Sequence, residues 1–238
     1  MTASALAIMA KAPREGEAKT RLCPPLAPAE AAGLAWAFLL DRIEQVRSVA
    51  ARPAIAYTPA DAAPLFRELA PEFSMVAQRG PDLGARMAGA VEDLLAAGSR
   101  GVVLVGTDSP TLPRAVLALA MVEVDRSDLV LGPSDDGGYY LIGLQRARPE
   151  LFADMAWGTS LVLAETLRRA EALGLSIAML PTWFDVDTGE DLARLERELA
   201  AQPRPEPRHT RRYLDARRAH PAAVGAHLPA GVRRIGDP

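Results

Sequence analysis

One loop of the chain is marked by its basic residues. Of the 27 lysine and arginine side chains, only Lys11 and Lys19 are lysines, and both lie in the loop after the first apolar run. Arg14, Gly16 and Arg21 belong to the same loop. An ammonium group is a compact charge that fits between phosphate oxygens, and glycine lets backbone approach a ligand closely. The loop is therefore predicted to bind phosphates, with a solvated surface loop as the alternative.

Two acidic segments are candidates for metal binding. Asp108 follows the apolar run 101–106, and Asp185 and Asp187 follow the last apolar run. A carboxylate at the end of a buried strand is costly unless a cation neutralises it, and Mg²⁺ and Mn²⁺ take oxygen ligands. The alternative for Asp108 is a helix cap, a role that Ser109 can fill instead. We therefore expect Asp108 and one later aspartate to bind Mg²⁺ or Mn²⁺.

Further polar and aromatic residues are candidates for contacts with the rest of a ligand. Gln78 offers amide groups to a base edge, Gly84 lies where a ring can pack, and Arg86 can reach phosphate or ribose. A tight turn before a helix is the alternative for each of them. Tyr139 could contact sugar hydroxyls or an acceptor, with a simple hairpin as the alternative. Trp157 could form a wall of the binding site, with a place in the core as the alternative.

The composition excludes several kinds of active site. Cys23 is the only cysteine and all three histidines follow residue 208, so disulfides, Cys-based metal pairs and a Ser-His-Asp triad in the body are ruled out. Neither a P-loop nor a Gly-x-Gly-x-x-Gly motif occurs. The net charge of −3 argues against nucleic acid as a partner. The apolar runs are too short for a membrane span, which predicts a cytoplasmic protein.

The elements that carry these loops follow from an alternation of short apolar runs with longer helix-period segments. This pattern predicts a three-layer α/β/α fold with a mixed, mostly parallel sheet of about seven strands. A hairpin across Pro133–Gly138 makes one strand antiparallel. Ligands bind such sheets beyond the carboxyl ends of the strands. The predicted strands are Ser4–Ala10, Ala54–Tyr57, Phe73–Gln78, Gly101–Gly106, Leu129–Gly132, Tyr139–Leu144 and Ser176–Leu180, and the predicted helices are Pro28–Ala50, Asp61–Leu69, Leu83–Ala97, Pro113–Val124, Thr159–Leu173 and Gly189–Ala200.

The chain is predicted to divide into one domain, residues 1–200, and a C-terminal tail, residues 201–238. The tail contains eight arginines and only three acidic residues, and its prolines at 203, 205 and 207 disfavour a continuous helix. We therefore expect it to be basic and weakly ordered. No sequence feature specifies an oligomeric state.

Five motifs occur in order over about residues 4–200, and together they resemble the small bacterial GT-A-type nucleotide-diphospho-sugar transferases. That family is labelled as glycosyltransferases, including proteins linked to arsenosugar biosynthesis, and is similar in fold to phospholactate and molybdenum-cofactor guanylyltransferases. The motifs are Lys11-Ala-Pro-Arg-x-Gly-x-x-Lys-Thr-Arg-Leu22, Gln78-x-Gly-x-Asp-Leu-Gly-x-Arg-Met87, Gly106-Thr-Asp-Ser-Pro110, Asp136-Gly-Gly-Tyr-Tyr-Leu-Ile-Gly143 and Asp185-Val-Asp-Thr-x-x-Asp-Leu192.

The resemblance implies a GT-A fold, a nucleotide donor and roles for individual residues. Asp108 corresponds to a metal-binding position, although a strict Asp-x-Asp is lacking, and Asp187 corresponds to the second metal ligand. Asp185 is the weaker candidate. Asp136, Gly137 and Gly138 are implied to line the cleft between donor and acceptor.

These observations predict a metal-dependent glycosyltransferase that uses a nucleotide-diphosphate sugar and a small-molecule acceptor. Lys19 would offset charge on the leaving group, and Asp136 would activate an acceptor hydroxyl. The alternative is nucleotidylyl transfer from a nucleoside triphosphate to a phosphorylated acceptor, with release of pyrophosphate. A third hypothesis is a nucleotide-binding regulator without turnover.

Overall fold

A single seven-stranded sheet runs through the residues that the structure, a computed structural model, describes: 3–201 and 206–219. The strand order is β3-β2-β1-β4-β6-β5-β7. Strand β6 pairs antiparallel with β4 and β5, and the other neighbouring strands pair parallel. The strands are Ala5–Lys11 (β1), Arg52–Thr58 (β2), Ser74–Ala77 (β3), Val102–Val105 (β4), Leu129–Pro133 (β5), Tyr139–Leu144 (β6) and Ile177–Met179 (β7).

Helices cover both faces of this sheet. They are Pro28–Val49 (α1), Ala63–Leu69 (α2), Leu83–Ala96 (α3), Arg114–Glu123 (α4), Val162–Ala172 (α5), Gly189–Ala201 (α6) and Arg208–Ala219 (α7), with short 3₁₀ helices at Thr20–Leu22, Ala60–Ala62 and Pro149–Leu151. Successive strand residues point to opposite faces. In β1, Leu6 and Ile8 accordingly pack with α1, α2 and α4, whereas Ala5 and Ala7 pack with α3 and α5.

The predicted fold class is confirmed, because the sheet has seven strands, is mostly parallel and lies between two helical layers. Each predicted strand is present with its ends displaced by at most two residues. The hairpin is also present, since β5 and β6 pair antiparallel across the turn after Pro133. In the described part of the chain, no helix combines the length and the apolar character needed to cross a membrane.

Local side-chain bonds begin two of the helices. Asp82 caps α3 by accepting a hydrogen bond from Ala85 N at 2.8 Å. Before α6, Asp191 Oδ2 accepts from Thr188 N at 2.8 Å, and Asp191 N donates back to Thr188 Oγ1 at 3.3 Å. This reciprocal pair satisfies amide groups that the first turn of a helix leaves open. Thr188 and Asp191 therefore have structural roles.

The expectation of a weakly ordered tail is wrong for residues 208–219. These residues form α7, whose Leu214 is buried in a cluster with Leu34 and Phe38 of α1. Residues 202–205 and 220–238, which belong to the same predicted tail, lie outside the described residues. Composition predicted a solvated segment because α7 is rich in arginine, but one apolar stripe suffices to bind a helix to a neighbour.

Candidate functional site

The loops after β1 and β4 leave the same edge of the sheet side by side. Strands β1 and β4 are hydrogen-bonded neighbours, and the chain reaches β4 only after building β2 and β3 on the other side of β1. The strand order therefore switches direction between β1 and β4. In open α/β sheets, ligands bind at such a switch point, beyond the carboxyl ends of the strands.

At this switch point, one lysine contacts two aspartates from distant parts of the chain. Lys19 Nζ lies 2.8 Å from Asp108 Oδ1 and 2.8 Å from Asp187 Oδ1. It also donates a hydrogen bond to the backbone oxygen of Val186 at 2.7 Å. Because both carboxylate oxygens lie at that distance from one nitrogen, they can be at most twice as far from each other. The Lys19, Asp108 and Asp187 side chains are therefore brought together.

The Lys19 side chain is enclosed, with only 8% of its surface exposed. Burial lowers the pKa of an ammonium group, but Asp108 and Asp187 more than offset this effect and raise the pKa of Lys19 above its usual value. The Phe38 ring lies 5.8 Å from Nζ, within the range of a cation–π contact. Lys19 is therefore a permanent cation near neutral pH, and it cannot serve there as a general base.

Backbone geometry places Lys19 in this position. Its φ of 49° and ψ of 40° lie in the left-handed region, which is uncommon for a residue with a side chain. The following 3₁₀ helix buries Leu22 in the cluster formed with α1 and α6. On the opposite side, Val186 N donates to Asp108 O at 2.8 Å. That backbone bond joins the loop after β4 to the segment that carries Asp187.

The three side chains line a cleft of about 530 Å³. Its lining also includes Tyr139 and Trp157, whose rings meet at 86° with centroids 6.4 Å apart. Asp136, Gly138 and Thr159 also line it. The cleft therefore combines charged groups at the sheet edge with rings and aliphatic side chains, as small-ligand sites commonly do.

Of the other residues in the loop after β1 that are predicted to bind phosphate, two line the cleft and two do not. Lys11 and Arg21 line the cleft, and Arg21 Nη1 lies 3.8 Å from Asp187 Oδ2. Arg14 is instead paired with Asp61 at 2.7 Å and does not line the cleft. Gly16 has a φ of 74°, so its role in the structure is to turn the loop backbone.

The residues predicted to contact the base, phosphate or ribose, Gln78, Gly84 and Arg86, do not line the cleft. Gln78 Nε2 donates to Ala56 O at 2.7 Å, which ties it to the sheet. Arg86 Nε bonds Gly80 O at 3.3 Å. A Cβ at Gly84 would lie 2.8 Å from the Trp157 ring, so this glycine allows α3 to approach Trp157 closely. The alternative interpretation as a turn before a helix therefore fits Gln78 and Arg86 better.

The β5–β6 turn brings its predicted residues to the cleft in part. Asp136 and Gly138 line the cleft, and Asp136 Oδ1 accepts from Gly138 N at 2.9 Å. Gly137 has a φ of 87°, and a Cβ there would meet Ser160 O at 2.3 Å. Tyr139 lines the cleft, and burial raises the pKa of its hydroxyl above the usual range. Gly137 is therefore needed for the turn, while its neighbours face the cleft.

The sequence did not predict a polar network that joins the segments next to Asp108 and Asp187. Asp185 accepts hydrogen bonds from Ser109 Oγ at 2.5 Å and Ser134 Oγ at 2.8 Å. Arg42, which is fully buried, donates to Ser109 O at 2.8 Å. The Ser109 hydroxyl donates to Asp185, so it does not cap a helix, the role that the sequence offered as an alternative. No sequence signal distinguished Arg42 from the other charged residues of α1, and its burial is visible only in the structure.

Asp108 and Asp187 fit a divalent cation whose other ligands would be substrate phosphates and water. The side chains are 44% and 34% exposed and share one cation, the Lys19 ammonium. Mg²⁺ is typically bound through one or two carboxylates together with substrate phosphates and water, and Mn²⁺ suits the same oxygen donors. The donor set therefore matches the chemistry of either ion.

A second group of metal-ligand type exists among the described residues. Atoms of Asp41, Glu44 and His209 lie within 4.8 Å of one another. The Asp41 carboxylate, however, accepts hydrogen bonds from His209 N at 2.9 Å and from Thr210 N at 2.8 Å. It therefore caps the first turn of α7. This group attaches α7 to α1, and none of its three residues lines the cleft.

The topology and the cleft define an α/β protein with the fold of nucleotide-diphospho-sugar transferases. A crystal structure described as a "putative nucleotide-diphospho-sugar transferase" from Desulfovibrio desulfuricans G20 matches with a TM-score of 0.84 and 33% identity, over 92% of this chain and 96% of that chain. The chain belongs to the family DUF2064, described as an uncharacterized protein conserved in bacteria, which matches residues 40–159. The resemblance drawn from the motifs is thereby confirmed.

Two further relatives extend this relationship. The 2-phospho-L-lactate guanylyltransferase of Methanothermobacter thermautotrophicus is 28% identical over 185 residues, covering 75% of this chain and 78% of that protein. Rv0371c of Mycobacterium tuberculosis H37Rv, solved as a complex with manganese, has a TM-score of 0.51 and 17% identity over 84% of this chain and 100% of its own, which shows a shared fold alone. The Desulfovibrio desulfuricans structure and the guanylyltransferase support a transferase of the nucleotidyl or glycosyl kind in general.

Proposed function

We propose that the chain is a metal-dependent glycosyltransferase that uses a nucleotide-diphosphate sugar as donor and a hydroxyl group of a small molecule as acceptor. The contact of Lys19 with both Asp108 and Asp187 carries this proposal. It lies at the switch point of the sheet, where a donor diphosphate would bind. The description of the 33% identical relative as a nucleotide-diphospho-sugar transferase supports it.

Lys19 and Arg21 would bind the donor diphosphate. Lys19 keeps its charge because its pKa is raised, and Arg21 is mostly exposed at the mouth of the cleft. A metal-bound diphosphate brings both a cation for the two carboxylates and anionic oxygens for the lysine. We expect Lys19 to exchange its carboxylate partners for phosphate oxygens when such a donor enters. A Mg²⁺ or Mn²⁺ ion held by Asp108 and Asp187 would offset charge on the leaving diphosphate.

The acceptor would approach from the β5–β6 turn. Asp136 Oδ1 is held by Gly138 N, and Oδ2 has no hydrogen-bond partner among the described residues. In the reaction, the acceptor oxygen forms a bond to the anomeric carbon as the bond from that carbon to the β-phosphate oxygen breaks. The acceptor proton passes to Asp136, and the nucleoside diphosphate leaves. The catalysis proposed here depends mainly on positioning and electrostatics.

Nucleotidylyl transfer is the second candidate, and one relationship favours it. The 28% identical relative is named a guanylyltransferase, and Lys11, Lys19 and Arg21 together would suit a triphosphate. An acceptor phosphate oxygen would attack the α-phosphorus of the nucleotide, and the bond to the leaving pyrophosphate would break. Both candidate reactions would use the same cleft. They differ in the atom that is attacked, which is the anomeric carbon in glycosyl transfer and the α-phosphorus in nucleotidylyl transfer.

The released product distinguishes the candidates. The full chain is incubated with Mg²⁺, a panel of small acceptors, and either nucleotide sugars or nucleoside triphosphates, and phosphate products are followed by ³¹P NMR. The proposal predicts a free nucleoside diphosphate from a nucleotide sugar, and loss of this product in Asp108→Asn. Asp128→Asn is the control, because Asp128 bonds Ser176 at the opposite end of the sheet.

Two results would overturn glycosyl transfer. Pyrophosphate release from a triphosphate would assign the chain to nucleotidylyl transfer. Metal-dependent nucleotide binding without consumption of any donor would instead support the regulator hypothesis. Full activity of Asp108→Asn would remove Asp108 from the site in either reaction.

A further inference from the structure

A third aspartate, Asp185, lines the cleft together with Asp108 and Asp187, and both of its carboxylate oxygens accept hydrogen bonds. Asp185 Oδ1 accepts from Ser109 Oγ at 2.5 Å, and Asp185 Oδ2 accepts from Ser134 Oγ at 2.8 Å. Both serines are buried, at 1% and 5% exposure. Each oxygen of Asp185 therefore holds a hydroxyl group from a different loop, one after β4 and one at the start of the β5–β6 turn.

Side chains of α1 also donate hydrogen bonds to the loop after β4. Arg42 Nη2 donates to Ser109 O at 2.8 Å, and Arg42 Nη1 donates to Gln45 Oε1 at 2.7 Å. Gln45 Nε2 in turn donates to Leu112 O at 3.1 Å. Ser109 is thus fixed at its carbonyl by α1 and at its hydroxyl by Asp185. Arg42 Nε is buried and has no hydrogen-bond partner among the described residues, but the bonds made by Nη1 and Nη2 restrict the groups that they join.

The sequence positions connect this network to the metal pair. Asp108 directly precedes Ser109, and Asp187 follows Asp185 by two residues. Val186, between the latter two, donates its N–H to Asp108 O at 2.8 Å and accepts from Lys19 Nζ at 2.7 Å. A change in the Asp185–Ser109 contact would therefore change the separation between the Asp108 and Asp187 carboxylates.

We propose that Asp185 is a positioning residue that sets the spacing of Asp108 and Asp187 for the metal and joins both to the β5–β6 turn that carries Asp136. This inference rests on the proposed function. It assigns Asp185 a role through its hydrogen bonds to Ser109 and Ser134 and not through direct coordination. Residues that hold metal ligands in place commonly affect affinity by about 10- to 100-fold when they are removed.

The amide replacement separates geometry from charge. In Asp185→Asn, the amide oxygen can still accept from one serine, and the amide nitrogen can donate to the other serine, which then accepts. A positioning role therefore predicts that Asp185→Asn keeps most of the metal affinity. Asp185→Ala loses both contacts and leaves two buried hydroxyl groups unpaired, which is costly.

The experiment measures Mn²⁺ binding to the full chain by electron paramagnetic resonance, in the presence of nucleoside diphosphates, with the free energy of unfolding measured in parallel. We expect Asp185→Ala to weaken Mn²⁺ binding by about 10- to 100-fold. Asp185→Asn should show a much smaller loss, and Ser134→Ala an intermediate one. Asp128→Ala is the matched control, since Asp128 accepts from Ser176 Oγ at 2.6 Å and joins β5 to β7 at the other end of the sheet.

The outcomes separate this inference from the proposed function. If the unaltered chain binds no Mn²⁺ with any nucleoside diphosphate, the proposed function fails. If it binds Mn²⁺ and Asp185→Ala binds equally well, only the positioning role is wrong. If Asp185→Asn loses as much affinity as Asp185→Ala, Asp185 acts through its charge or as a ligand, and the inference is overturned. If Asp185→Ala does not fold, the comparison of Asp185→Asn with Ser134→Ala decides.

Discussion

At the scale of single residues, the site depends on one ammonium group between two carboxylates. Lys19 contacts both Asp108 and Asp187 and offsets part of their charge, and these aspartates raise its pKa. An ammonium and a divalent cation cannot occupy the same position between the two oxygens. The lysine should therefore oppose metal binding until phosphate oxygens provide it with other partners. This would couple metal binding to donor binding.

Replacing Lys19 tests this coupling directly. In Lys19→Met the two carboxylates lose their shared cation and repel each other. Added Mn²⁺ without nucleotide should then raise the melting temperature more than it does in the unaltered chain. Differential scanning calorimetry with and without Mn²⁺ measures both values.

Lys11→Met is the control for that replacement, because Lys11 is the other lysine, is 52% exposed and contacts Glu17 in the same loop. It should respond to Mn²⁺ as the unaltered chain does. An equal Mn²⁺ response in Lys19→Met would show that the lysine does not compete with the metal.

At the scale of elements, α7 is part of the domain that surrounds the cleft. Asp41 caps its first turn, and Tyr213 donates to Glu30 O at 2.7 Å on α1. A Cβ at Gly33 would lie 2.6 Å from the Tyr213 ring, so the absence of a side chain there allows close packing. The same α1 carries Phe38, which lies under Lys19. Helix α7 thus covers the face of α1 that supports the lysine.

A leucine pair tests whether α7 contributes to stability. Leu214 of α7 is 2% exposed, so Leu214→Ala should lower the free energy of unfolding by about 2–5 kcal/mol through lost burial and a cavity. Leu173, at the end of α5, is 40% exposed, and Leu173→Ala should change it by about 0.5 kcal/mol or less. Urea denaturation measures both. Equal effects would mean that α7 is not packed on the domain in solution.

At the scale of the whole molecule, the strand order decides where the charged loops meet. The chain builds β2 and β3 on one side of β1 and then crosses to β4 on the other. Two parallel strands that point the same way thereby present Lys19 and Asp108 at one edge. The segment after β7 returns to this edge, because Ser134 pairs with Trp183 in a parallel bridge. A binding cleft follows from topology before any side chain is considered.

Removal of metal tests this arrangement in the intact chain. With Mn²⁺ present, a nucleoside diphosphate at about 100 times its dissociation constant should stabilise the fold by about 2.7 kcal/mol. Addition of EDTA should abolish most of that stabilisation, because Asp108 and Asp187 would repel the diphosphate without the cation. Thermal-shift measurements with each common nucleoside diphosphate provide the comparison. Equal stabilisation with and without EDTA would contradict a metal-dependent site.

The sequence by itself determined the local features of this protein. The periods of apolar residues predicted seven strands, six helices and the antiparallel hairpin, because these patterns depend on neighbours within one element. The Thr188–Asp191 pair before α6 is local in the same sense, because its two residues are three positions apart. The sequence also supplied candidate site residues. Lysine occurs only at Lys11 and Lys19, and Asp108 and Asp187 follow apolar runs.

Only the tertiary structure decided which of those residues meet. Lys19 and Asp187 are 168 positions apart, and their 2.8 Å contact depends on strand order, which no local pattern encodes. The same limit applies to the other predicted residues and to the tail. Arg14 and Gln78 found partners in Asp61 and Ala56, Ser109 bound Asp185, and α7 packed on α1 through a few buried residues. Such choices depend on the free energy of contacts between distant segments, and this is settled only when the whole chain folds.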